Sequence, residues 1–176
     1  TLLPVESPAT EFRLDNLRLD FTEAQAALKN VYFPEYKDNL LLIQGLYINN
    51  PSLNFQKSIS NNKEVEFLHQ DENKKIFKRI ILSNTRYCME LEIEIQNLSD
   101  HSLNMSLPIS LGVVDTVREP SQIQYHDIYI GGSEKIVHLN ARKTASMENV
   151  KFMGLRNRYF CLIVQPAREK YAAKVS

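Results

Sequence analysis

An antiparallel all-β sandwich with few or no helices is the fold class this sequence predicts, and three observations predict it. Apolar and polar residues alternate with period two, turn-forming clusters interrupt the chain at short intervals, and helical periodicity is almost missing. Residues 1–11 hold Pro4 and Pro8 among small polar residues and read as an extended linker. Leu17, Leu19 and Phe21 then alternate with Arg18 and Asp20, and Leu53, Phe55 and Ile59 with Asn54, Gln56 and Ser58. The clearest strand is Tyr87–Ile95, whose Tyr87, Met89, Leu91, Ile93 and Ile95 face a core while Glu90, Glu92 and Glu94 face water. A helix would spread those glutamates around its circumference. Further strands are predicted at Leu40–Ile48, Lys63–His69, Lys75–Leu82, Leu103–Leu111, Ile123–Ile130, Glu134–Leu139 and Arg158–Val164. The breaks between them include Asn49-Asn50-Pro51, Asn61-Asn62, Asp71-Glu72-Asn73, Asn97-Leu-Ser-Asp100 and Gly131-Gly132. Only Thr22–Asn30 and Ala167–Lys174 suit short helices. The sandwich is thus expected over residues 12–166, with 167–176 a tail or short helix.

Composition narrows the function classes. A chain of 176 residues matches one domain at roughly 150 residues each, and such a chain buries about 70% of its unfolded surface without a disulfide or metal. Lys+Arg and Asp+Glu both number 21, so the formal charge is zero. That balance argues against nucleic acid as a partner and against a polybasic membrane-surface module. The longest apolar runs, Leu40–Ile43 and Phe160–Val164, fall far short of the roughly 18 residues of a membrane-crossing helix. The 5 glycines form no phosphate-cradling motif. Cys88 and Cys161 fit neither a zinc spacing nor a Cys-x-x-Cys redox pair. Strand parity puts Cys88 on a polar side and Cys161 inside an apolar run, which disfavours a bridge between them without excluding it.

The chemistry-bearing residues assemble no recognisable site. His69, His101, His126 and His138 lack His-x-His or His-Glu-x-x-His spacing, so a metal would need His126 and His138 to meet across the Gly131-Gly132 turn. Alternate glutamates on one strand stand about 7 Å apart, a separation open to paired-carboxylate chemistry, but a solvated face is their commoner use. No Gly-x-Ser-x-Gly nucleophile motif occurs, and Asn97-Leu-Ser99 and Asn104-Met-Ser106 are glycosylation-type triplets that arise readily by chance. Tyr125, Tyr129, Tyr159 and Phe160 are the candidates for a groove holding an extended peptide or sugar, with burial in the sandwich as the commoner fate. No catalytic residue, cofactor or metal is expected.

The stretch Val150-Lys-Phe-Met-Gly-Leu-Arg-Asn-Arg-Tyr-Phe-Cys-Leu-Ile-Val-Gln-Pro166 resembles a signature of the periplasmic domain of the YidC family of bacterial membrane protein insertases. The matching positions are Gly154, Arg156, Arg158, Tyr159 and Phe160, with Phe152-Met153 where the family usually has Trp. Three more segments agree in order. Asn16–Phe21 through Val31–Lys37 resembles the opening strands, with Ala26-Ala27 in place of a frequent Gly-Gly. Tyr87–Asn97, Ser99-Asp100 and Leu107-Pro108 resemble a strand, turn and Leu-Pro sequence, and Tyr125–Gly132 a Tyr-rich strand.

The resemblance implies a galactose mutarotase-like β-supersandwich lying between the first two membrane helices of an insertase. It implies an inner-membrane protein whose domain sits in the periplasm and acts as a non-enzymatic accessory, binding or scaffolding module. Its implied partners are the Sec translocon and nascent membrane proteins. Family domains usually continue beyond the signature, so the domain is expected to extend past Ser176. The rival expectations are a mutarotase-like carbohydrate enzyme, with His126 or His138 as acid and Glu90 or Glu94 as base, and a carbohydrate-binding module.

Overall fold

The computed structural model describes residues 9–14, 17–114, 124–140, 145–167 and 171–175. Seventeen strands and no α-helix are found among them, and every pairing given below is antiparallel. The strands gather into two compact units, Thr1–Gly112 and Val113–Ser176.

In the first unit β1 (Ala9–Leu14), β2 (Leu17–Thr22), β3 (Leu28–Phe33) and β4 (Asp38–Gly45) form a meander. A second meander joins β6 (Gln56–Ser60), β7 (Glu64–Gln70), β8 (Lys74–Leu82) and β9 (Met89–Asn97). Between them in sequence, β5 (Tyr47–Ile48) pairs with β10 (Ile109–Ser110). The alternation Leu17, Leu19, Phe21 is fully buried, and Phe21 meets Phe67 of the other meander at 5.3 Å between ring centroids. Phe12 closes this cluster edge-on to both rings. Each such ring contributes roughly 1.5–3 kcal/mol by leaving water, and these contacts across the two meanders make the unit a sandwich.

Residues 113–176 form the second unit. Its main sheet has the order β13-β12-β15-β16, from β12 (Asp127–Gly131), β13 (Ile136–Asn140), β15 (Phe152–Arg156) and β16 (Cys161–Val164). Beside it β14 (Ala145–Val150) pairs with β17 (Tyr171–Val175), and the short β11 (Val113–Val114) opens the unit. Ile130, Leu139 and Val150 form its core, with Ile128, Val137, Met147 and Met153 packed against them. Gly131 is required here: a Cβ on it would stand 2.1 Å from the Phe152 ring.

Neither predicted helix is found among the described residues. Thr22 ends β2, a turn closes through Thr22 N–H to the Ala27 carbonyl at 2.9 Å, and β3 begins at Leu28. Ala172 and Ala173 favour a helix locally, but β17 finds a cross-strand partner and that pairing decides. Other differences are smaller. Strand at Leu103–Leu111 is confined to β10, and Tyr87 precedes β9 in a left-handed conformation at φ 61°. Residues 1–8 of the expected linker lie outside the described residues, and strand is already present from Ala9.

Candidate functional site

The five signature positions fall on one hairpin. Gly154 and Arg156 lie on β15, Arg158 and Tyr159 in the turn, and Phe160 immediately before β16. Asn157 builds the turn. Its buried Oδ1 accepts the Tyr159 N–H at 2.9 Å and the Phe160 N–H at 2.7 Å, while its own N–H donates to the Phe160 carbonyl at 3.0 Å. A short amide that caps its own turn is a common use of Asn. Sequence reasoning passed over this residue, whose signal was an Asn set between two arginines in an otherwise apolar stretch.

Register assigns the outward face of the sheet. Tyr129 pairs with both His138 and Gly154, Asp127 with Arg156, Arg156 with Cys161, and Gly154 with Ile163. Cross-strand partners share a face. On that face Asp127 is the centre, with Oδ1 2.9 Å from His138 Nε2 and Oδ2 receiving Arg156 Nε at 3.1 Å and Nη2 at 2.5 Å. Burial would raise the Asp127 pKa, but hydrogen bonds from His138 and Arg156 outweigh it and hold the carboxyl below its ordinary range. The His138 ring lies flat on Tyr129, with centroids 4.7 Å apart, and Arg156 reaches the same Tyr129 ring at 5.9 Å. Arg158 stands 5.3 Å from the ring centres of both Tyr125 and Tyr159. Gly154 sits among Tyr129, Cys161 and Ile163, yet a Cβ there would come no closer than 3.8 Å, so packing of the described neighbours does not demand glycine.

The enzyme-like candidates are placed differently from expectation. His126 is buried and precedes β12, whereas His138 is half-exposed and pairs with Tyr129, so the hairpin does not bring the two histidines opposite each other. The carboxylate beside His138 is Asp127. Glu90, Glu92 and Glu94 do share the water-facing side of β9, as parity predicted. There Arg79 meets Glu94 at 3.0 Å and Glu92 at 3.8 Å, and on its other side the buried Glu66 at 2.6 Å. These are ion pairs of a charged sheet face. Cys88 and Cys161 are both free and exposed; Cys161 is reached by solvent because β16 is the last strand of its sheet. Partial burial of its sulfur holds the Cys161 thiol above its ordinary value, against the pull of Arg156.

Chemically, a carboxylate that fixes an imidazole can support proton transfer, but Asp127 is committed to a guanidinium at the same time. The arrangement ties three strands together and offers a mixed aromatic, cationic and apolar surface, with Tyr159 59% and Ile163 61% exposed. Among the described residues no group of three or more His, Cys, Asp or Glu side chains is arranged to hold a metal ion. No helix among them is long and apolar enough to cross a membrane. Comparison with protein-family models and with curated proteins finds no match to this chain.

Proposed function

We propose that this chain is the periplasmic domain of a bacterial inner-membrane protein insertase of the YidC kind, a non-enzymatic module that binds or scaffolds while insertion takes place in membrane helices outside this chain. The observation that carries the reading is the hairpin itself. The residues that resemble the family signature lie on one hairpin, Arg156 among them bonds Asp127 of β12, which also meets His138 of β13, and the hairpin ends on β16, an apolar strand at the sheet's edge among the described residues. Such an edge can receive an extended partner through backbone hydrogen bonds. The other resembling segments fall in order on β2–β3, β9 and β12, consistent with a supersandwich of the mutarotase-like type. The partners on this reading are Sec translocon subunits and nascent membrane proteins.

The test is site-specific photo-crosslinking in inner-membrane vesicles, with the probe replacing Ile163 or Tyr159 in the full-length protein. Adducts with translocon subunits or with a stalled nascent membrane protein are expected, and fewer from a probe on the charged face at Glu92. Equal labelling from all three positions, or none, contradicts the proposal.

One observation favours a second reading, a mutarotase-like enzyme: the 2.9 Å contact between His138 and Asp127. Anomeric interconversion of aldoses that His138→Ala abolishes would establish it in place of the insertase reading. Saturable sugar binding without turnover would indicate a carbohydrate-binding module.

A further inference from the structure

Lys78 lies on the core face of β8 between Ile76 and Ile80, and its side chain is fully buried. By register its cross-strand neighbours are Phe67 on β7 and Ile93 on β9. Its Nζ donates to two backbone carbonyls, Ala26 in the β2–β3 turn and Leu46 between β4 and β5, each at 2.6 Å. Both acceptor residues are left-handed, Ala26 at φ 48° and Leu46 at φ 49°, and Gln44 beside them is at 54°. Non-glycine residues avoid that region, so three together make a strained junction. The two turns touch there: Leu28 pairs with Gly45, where a Cβ would stand 2.6 Å from the Leu28 carbonyl oxygen.

We propose that Lys78 is a proton-controlled staple that holds this strained junction as a neutral amine and loosens it on taking up a proton. Two acceptors match the two N–H groups of an amine; an ammonium adds a third donor and a charge in apolar surroundings. On β7 the next core-face position after Phe67 is His69, engaged with Asn54 and Asp71; the β2–β3 turn carries Glu23, β5 carries Tyr47, and the core-facing residues of β9 are apolar. Burial brings Lys78 down from 10.5 to about 7. The stability that follows from a neutral Lys78 is therefore complete above 10.5, the unfolded value, and is lost as pH falls towards about 7.

Two measurements on the full chain test the staple. Isotope-labelled lysine side chains followed by NMR should show the Lys78 resonance titrating near 7. A Lys78 resonance that titrates at the ordinary 10.5 overturns the proposal, and this readout does not depend on any variant folding. In the second, the thermal unfolding temperature of the wild type should rise with pH across that window relative to that of Lys78→Met, which lacks the rise. Amide exchange at Ala27, Leu28 and Leu46, corrected for intrinsic rates, should be slowed by alkalinity in the wild type alone. Parallel pH profiles for the two proteins contradict it.

Discussion

At the scale of single residues, Asp127 and Ala26 illustrate opposite situations. Asp127 satisfies two cationic or potentially cationic groups from two strands, and its depressed pKa means the charged form is stabilised by folding. The stability it contributes is present above its ordinary value of 3.8 and is lost as pH falls through the lower folded value. Asp127→Ala should therefore cost about 2 kcal/mol at neutral pH and much less in strong acid, measured by denaturant unfolding at both pH values. Ala26, at φ 48°, occupies a conformation that suits glycine. Ala26→Gly should stabilise the chain by about 1 kcal/mol, seen as a higher denaturation midpoint at unchanged slope. Lys78 was legible in part: alternation sets it on the same face as Ile76 and Ile80, but only the tertiary structure supplies the two carbonyls that make a buried lysine tolerable.

At the scale of elements, strands with strict alternation were readable and turns dependent on distant partners were not. The row Glu90, Glu92, Glu94 lies along β9 as predicted, because a two-residue period has one structural solution when one face is dry. The β2–β3 turn and β17 depart from the helical expectation because alanines carry local helical preference, while the turn is fixed by Thr22 N–H to the Ala27 carbonyl and Phe55 N–H to the Ala24 carbonyl, and β17 by pairing with β14. The signature hairpin was located but not resolved: β15 was missed, and Asp127, its electrostatic centre, had no marker in spacing. Edge strands differ in protection. A register shift interrupts β6, and β9 carries three carboxylates, whereas β16 reads Cys-Leu-Ile-Val without charge or irregularity. Ile163→Lys should raise the concentration at which the isolated chain aggregates, followed by light scattering, with little change in its unfolding midpoint.

For the molecule as a whole, the all-β class followed from the sequence because composition, turn spacing and period agree. The two compact units meet in sequence at Gly112 and Val113, just before the polar, Pro-containing run Asp115–Gln122. Phe67→Ala should test the first unit's sandwich, removing contacts to Phe12 and Phe21 and costing about 3–5 kcal/mol in denaturant unfolding. The proposed role reaches beyond this chain, and so does its most direct test, which is to determine the reading frame on both sides of residues 1–176. On the proposed role an apolar segment of about 20 residues upstream and several more downstream are expected. A stop codon just after Ser176, or a cleavable secretory leader just before Thr1, would contradict the account.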